Sequence, residues 1–344
     1  MKNIFNDNFQ AVLWPLFRLK PAFAWADGIF SPLKRALLEH KELPDDKKIS
    51  VSSASSRENA VQFYEDYFQY KNISFSVENR NDEMPVIKPA DYIQNWGRRL
   101  EADLKYLNKE EYNNNADGIH FKGSLKDLWI SKEAEISDMA FIDASTGPVI
   151  IEKGAKVSAF SHIEGPVFIG PLSRLDRAYL KNSRIGFNCR IGGEVDSSLF
   201  SDFSNKHHEG FIGHSLVADW VNLGALTTTS DLKNNYGKVR LYYQDERFEA
   251  ETIKFGSIIG DYVKTGIGTM LNTGTVIDMG CLMFERLRKQ KYYSPFFWGG
   301  ENENTYEIEK FLADANTIMK RRGESIHSFI EKYARIFSEK KYRI

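Results

Sequence analysis

The stretch Ile259-Gly260-Asp261-Tyr262-Val263-Lys264-Thr265-Gly266-Ile267-Gly268-Thr269-Met270-Leu271-Asn272-Thr273-Gly274-Thr275-Val276-Ile277 repeats every six residues. Its anchors are Ile259, Thr265, Leu271 and Ile277, with glycine next to two of them at Gly260 and Gly266. A small or β-branched residue stands four places after each anchor, at Val263, Thr269, Thr275 and Cys281. Working outward, the same spacing recurs at Ile130, Ile136 and Ile142; at Ile151, Val157 and Ile163; at Ile169 and Leu175; at Ile185 and Ile191; and at Val217 and Leu223. The fourth place after these anchors holds Ala134, Ala140, Thr146, Ala155, Ser161, Ser173, Cys189, Val221 and Thr227. Such a period fits neither a 3.6-residue helix nor a two-sided strand. It fits a coil of short strands, with the aliphatic side chain pointing into a narrow interior, the small residue inside where walls meet, and glycine tolerating the bend. Coils of this kind stack their backbones about 4.8 Å apart.

This pattern resembles the hexapeptide-repeat family, whose fold is a left-handed parallel β-helix with three hexads to a triangular coil. The expected class is therefore mainly β: a left-handed parallel β-helix with a small N-terminal α/β domain and C-terminal helices. The chain divides into 1–118, 119–284 and 285–344 on this reading. In the first part a strand is expected at Ile49 to Ser53, a helix from Arg57 to about Phe68, a strand at Ile73 to Val77 and a helix from Ala90 to Leu107. The run Asn113-Asn114-Asn115-Ala116-Asp117-Gly118 reads as a linker. After Phe284 the hexads stop, and amphipathic helices are expected over Glu303 to Lys320 and Ser325 to Glu339, capping the open coil end.

At 344 residues the chain has room for two or three units. Lys and Arg number 46 against 47 Asp and Glu, a net charge of −1, which argues against a surface built to wrap nucleic acid or press onto an anionic membrane. With 42% apolar and 27% charged residues the composition is that of a soluble globular protein. No uncharged run approaches the roughly 18 residues of a membrane span. Cys189 and Cys281 are the only cysteines, too few for a disulfide scaffold or a four-thiolate zinc site, which fits a reducing cytoplasm. Ala11 to Phe17 followed by Ala22-Phe23-Ala24 imitates a signal peptide, but Asp7, Arg18, Lys20 and Pro15 break the pattern. A cytoplasmic enzyme without a bound metal is expected.

The repeat breaks twice, and breaks in a solenoid map to functional loops. The first carries Ser204-Asn205-Lys206-His207-His208-Glu209-Gly210-Phe211-Ile212-Gly213; the second runs from Leu223 through Asp231-Leu232-Lys233-Asn234-Asn235-Tyr236-Gly237 to about Phe255. Of seven histidines, His207 and His208 are adjacent in a polar loop, where they are either exposed loop residues or a catalytic base. An imidazole titrating near ~6.5 can take the proton an amine sheds as it attacks a thioester. Backbone N–H groups of a Gly-rich turn can hold the resulting oxyanion. Lys206, Lys233, Lys238 and Arg240 are either phosphate ligands or ordinary solvated charge.

Ser204 to Gly213 followed by Asn222-Leu223-Gly224-Ala225 is similar to the acetyltransferase half of the bifunctional UDP-N-acetylglucosamine pyrophosphorylase / glucosamine-1-phosphate N-acetyltransferase family, GlmU-like in short. A divergent bacterial branch of that family is closer still. The resemblance rests on Asp143-Ala144-Ser145-Thr146-Gly147-Pro148, Gly192-Gly193-Glu194-Val195, Ser204-Asn205-Lys206, Leu232 to Gly237, Asn272-Thr273-Gly274-Thr275 and Phe297-Trp298-Gly299-Gly300. It runs from about 143 to 320, with a weaker echo from Leu13-Trp14-Pro15-Leu16 to Lys34. It implies an N-acyltransferase using acetyl-CoA on an amino-sugar phosphate or nucleotide sugar, active as a homotrimer, with His208 as general base. It places Lys206, Phe211, Asp231, Lys233, Asn234 and Asn235 at the acceptor, and Ala225, Thr227, Lys238 and Arg240 at the coenzyme. Phe211 stands where the family has a tyrosine, Asp231 where it has an asparagine, and Lys206 lies one place nearer the histidine than the family lysine. The first 118 residues are about half the length of a nucleotidyltransferase domain and carry no Gly-rich triphosphate loop, which predicts no pyrophosphorylase activity. Three functions compete: an acyltransferase, a bifunctional enzyme with nucleotidyltransferase activity, and a non-catalytic binding or scaffold member.

Overall fold

The computed structural model describes residues 4–6, 18, 25–31, 48–52, 60–71, 76–80, 88–113, 116, 118–284, 290–299 and 304–339. The signal-like run, most of its flanking segment to Lys34, and Asn114, Asn115 and Asp117 of the expected linker lie outside them.

Three ladders of inward residues make the column, a left-handed parallel β-helix of hexapeptide repeats. On the first face Ile130, Ile151, Ile169, Ile185, Phe200, Val217, Ile259, Ile277 and Tyr293 stand directly above one another. On the second, Ile136, Val157, Leu175, Ile191 and Lys206 do so, continuing through Leu223, Thr265 and Met283. The third stacks Phe121, Ile142, Ile163, Leu180, Val195 and Ile212, with Thr229 on Leu271 higher up. Their apolar members form one continuous core. Cys189 and Cys281 are fully buried in it, and burial pushes the Cys189 thiol up to about 12, so both act as small inward packing residues. Parallel pairing continues beyond Phe284: Tyr292–Tyr293 stacks on the first face and Phe297–Gly299 on the second.

The bends fall elsewhere than expected. Gly260 and Gly266 do not adopt left-handed backbone; the left-handed residue comes three places after the anchor and is often large, as at Phe203 (φ 60°), Trp220 (φ 60°) and Tyr262 (φ 61°). These three rings lie nearly parallel along one edge, Phe203 against Trp220 at 4.1 Å and Trp220 against Tyr262 at 6.2 Å, and their packing offsets the backbone strain. Glycine directly after an anchor serves close approach instead. A Cβ on Gly224 would sit 2.6 Å from the Thr265 carbonyl of the next coil.

Before the column, β1 (Ile4–Asn6), β2 (Lys48–Ser52) and β3 (Ser76–Arg80) form a small parallel sheet with α1 (Ala60–Tyr70) against it. Helix α2 (Pro89–Asp103) starts with Pro at its first position and buries Tyr92, Trp96 and Leu100, spaced four apart, against the column. It stops at a 3₁₀ turn, Leu104–Tyr106, short of the expected Leu107. Asn113, taken as the start of a linker, lies instead with Tyr112 in a short strand that pairs antiparallel with Ile130 and Ser131. At the far end α3 (Ile308–Lys320) and α4 (Ser328–Ser338) pack Phe311, Leu312, Phe329 and Tyr333 around Trp220, Tyr262 and Phe63.

Candidate functional site

His207 and His208 occupy the corner between Asn205–Lys206 on the second face and Phe211–Gly213 on the third. Two features hold that corner. Below it Gly192 and Gly193 leave room, since a Cβ on Gly192 would lie 2.0 Å from the His207 carbonyl. Above it the Leu226 N–H donates to the Glu209 carbonyl at 2.7 Å. Both imidazoles are exposed, with ring centres 5.0 Å apart. His207 Nε2 lies 3.2 Å from Asp176 Oδ2, so the two histidines differ: His207 has a carboxylate neighbour, while His208 presents its ring to solvent. The same edge exposes Met139 (56%), Phe160 (65%), Leu226 (55%), Ile267 (81%) and Met270 (78%) below and above the pair. An apolar line of that length on a monomer marks an interaction or ligand surface.

Lys206, expected at the acceptor, is a buried member of the corner itself. It takes an anchor position in the second-face ladder and is 1% exposed. Its Nζ donates to the Gly192 carbonyl at 2.8 Å and to the His208 carbonyl at 2.6 Å, so it fixes the corner from inside. Burial pushes its pKa down to about 8, against the opposing pull of Glu209 and Glu194. The unfolded chain keeps this proton to ~10.4, so between the two values the unfolded state binds more protons and stability rises with pH. Wild-type protein should therefore gain stability relative to Lys206→Met between about pH 7.5 and pH 10 in urea titrations; a constant difference would contradict this titration.

The remaining predicted residues spread from that corner across the third face to the next edge. Phe211 is half-buried on the third face, and Thr227 points inward, its hydroxyl 2.7 Å from that of Thr265. Ala225 is half-buried at the corner above His208. Asp231 begins the excursion one strand further on, past Thr228–Thr229. Its Oδ2 meets His214 Nδ1 at 2.7 Å, with both side chains about 15% exposed, at 14% for His214 and 15% for Asp231. Burial alone would raise the Asp231 pKa; the hydrogen bond and charge of His214, with Lys254 behind, bring it below the ordinary carboxylate value. The sequence reading missed His214, whose only signal is that it precedes Asp231 by about one coil. His214 lines a cavity of about 400 Å³ with Asn182, Ser197, Lys254 and Gln94 of α2. Lys233 Nζ donates to the Lys238 carbonyl at 2.5 Å, and Asn235 Oδ1 accepts the Gly237 N–H, so these residues shape their own turn. Asn234 and Lys238 are exposed. Arg240 sits on the hairpin Arg240–Tyr243/Glu246–Glu249, 3.6 Å from Glu249, and with Lys233 it depresses the pKa of Lys291, which burial lowers first. Three of the predicted cations thus gather near one edge, apart from His208. Among the described residues no group of three His, Cys, Asp or Glu could hold a metal ion, and no helix is long and apolar enough to cross a membrane.

No family model matches the chain. Over 168 residues it is 29% identical to the bifunctional protein GlmU of Jannaschia sp. (strain CCS1), covering 47% of this chain and 34% of that protein. Over those residues the chain is similar to GlmU. GlmU of Methanocaldococcus jannaschii is 31% identical over 219 residues, covering 57% of this chain and 52% of the relative. The bifunctional sugar-1-phosphate nucleotidylyltransferase/acetyltransferase of Sulfurisphaera tokodaii is 32% identical over 140 residues, covering 38% and 34%. The chain thus spans between a third and about half the length of these curated relatives.

Proposed function

We propose that this chain is an N-acyltransferase that moves an acyl group, acetyl in the first instance, from coenzyme A to an amino-sugar phosphate or nucleotide sugar, with His208 as general base. The observation that carries the reading is the exposed His208 imidazole on a corner clamped by Lys206 and Gly192-Gly193, in a column similar to proteins named for acetyltransferase activity. An amine acceptor attacks the thioester carbonyl, its proton passes to His208, and the collapsing intermediate expels the thiolate, which is reprotonated. The apolar line Leu226, Ile267 and Met270 above His208 suits the pantetheine arm of the coenzyme. Release of free thiol should be followed with acetyl-CoA across a panel of amino-sugar phosphates and nucleotide amino sugars. No thiol release above the uncatalysed rate with any acceptor would leave the binding or scaffold reading in its place.

A homotrimer belongs to the same proposal. His208 and the Asp231 edge are separated by one face, roughly 10 Å of strand, so a single column does not bring them onto one small ligand. Neighbouring columns packed edge to face would, and they would cover Met139 and Phe160. Sedimentation equilibrium should return three times the 39.6 kDa chain mass; a monomer at micromolar concentration would contradict the shared site.

The His214–Asp231 pair favours a second reading in which His214 is the base, since a carboxylate fixes its Nδ1 and the ring opens on a cavity. Under that reading His214→Ala, and not His208→Ala, removes turnover.

A further inference from the structure

Outward positions of the second face form their own ladder: Glu135, Lys156, Arg174, Arg190, Asn205, Asn222 and Lys264. At its foot Lys156 is neutralised by Glu135 at 2.7 Å. Higher up, among the described residues, Arg174 and Arg190 have no carboxylate partner. Arg174 and Arg190 are direct neighbours on adjacent coils. A third guanidinium comes from 134 residues away in sequence: Arg322, just after α3, donates to Asn188 Oδ1 at 3.0 Å and to Asn205 Oδ1 at 2.8 Å. Arg190 donates to the same Asn188 Oδ1 at 3.3 Å, so two cations converge on one neutral oxygen. Among the described residues no carboxylate lies within ion-pair distance of Arg174, Arg190 or Arg322. Burial, Arg322 and Arg174 together push Arg190 down to about 10. Like charges held this close are unfavourable unless an anion joins them, and guanidinium groups match phosphate oxygens with paired N–H donors.

We propose that Arg174, Arg190 and Arg322 form an anchor for the phosphate groups of a phosphorylated ligand, distinct from the Lys233–Arg240 cations. The anchor lies on the approach to the histidine corner: Asn205 precedes His207 by two residues, and Arg174 precedes Asp176, the His207 partner, by two. It deepens the acyltransferase reading, and rests on it for the choice of ligand, because coenzyme A and a nucleotide sugar both carry a diphosphate.

Isothermal titration with inorganic pyrophosphate tests the anchor directly. Binding that weakens as salt rises is expected, with an affinity loss of about tenfold or more in each of Arg190→Gln and Arg322→Gln. Coenzyme A against pantetheine, and UDP-N-acetylglucosamine against N-acetylglucosamine, then show which ligand supplies the phosphates. Melting temperature separates the anchor from mere docking of the C-terminal helices: loss of a like charge should leave it unchanged or raise it, whereas a purely structural Arg322 would lower it on replacement. A flat pyrophosphate titration, equal affinity in the variants, or variants that alter only the sedimentation coefficient would overturn the anchor. The last outcome would assign the arginines to carboxylates of a second copy. If pyrophosphate binds through these arginines while no acceptor consumes acetyl-CoA, the acyltransferase reading fails and the anchor stands. If acyl transfer proceeds and pyrophosphate does not bind, the reverse holds.

Discussion

His208→Ala lowers acyl-transfer turnover by about 10²–10⁴-fold, the usual cost of removing a general base, while the melting temperature stays close to that of wild type. The two halves of this expectation have separate grounds. The ring is exposed, so its loss leaves no cavity. The corner is held by backbone and by Lys206, whose bond runs to the His208 carbonyl and survives the substitution. His207→Ala should be milder, since that ring is occupied by Asp176 and the resemblance gives it no counterpart. Steady-state kinetics on both variants and on His214→Ala decide among the three imidazoles. Full activity in His208→Ala with loss in His214→Ala would transfer the base to the Asp231 edge. Full activity in all three would remove histidine from the mechanism.

Asp278→Ala should cost about 3–5 kcal/mol of folding stability, because it strands a buried guanidinium. Arg18 Nε and Nη2 donate to the two Asp278 oxygens at 3.0 and 2.7 Å, with the side chains 4% and 0% exposed. Nη2 also donates to the Tyr243 hydroxyl at 2.8 Å, the Tyr292 hydroxyl donates to Asp278 at 3.2 Å, and Phe337 of α4 lies beneath the guanidinium at 4.7 Å. Burial disfavours the Arg18 charge, and Asp278 together with Tyr243 and Tyr292 more than restores it. The cluster ties the N-terminal segment, the hairpin, the column and the last helix at one point. Urea unfolding should show the loss in Asp278→Ala and a substantial recovery in Arg18→Met/Asp278→Leu, which removes both charges together. A single-variant loss below about 1 kcal/mol would mean that water reaches the site and screens Arg18.

Much of the column was legible because its rule is local. An aliphatic every six residues and a small residue four later state, without reference to any distant part of the chain, which atoms face inward; seven of the nine members of the first-face ladder follow, all but Phe200 and Tyr293. The helices α2, α3 and α4 were legible for the same reason, within a few residues at each end. The burial of Lys206 was not legible, for a reason equally physical. A lysine in a polar loop looks solvated, and only the coil below, with the Gly192 carbonyl and the space left by Gly193, shows that its ammonium is satisfied inside. The bends were misread because glycine is the ordinary residue at positive φ, while here stacked aromatics from successive coils hold Phe203, Trp220 and Tyr262 there.

By itself, then, the sequence determined the period, and with it the β-helix and much of its aliphatic inward set. Tertiary structure decided everything that depends on which residue lies one coil away. Coil lengths vary, from the 15 residues between Ile185 and Phe200 to the 42 between Val217 and Ile259 across the excursion. Vertical neighbours are therefore not a fixed distance apart in the chain. The pairing of His214 with Asp231, the meeting of Arg174, Arg190 and Arg322, and the burial of Arg18 on Asp278 are all contacts of this kind. Each is set by the stacking of backbones about 4.8 Å apart, which no spacing along the chain records.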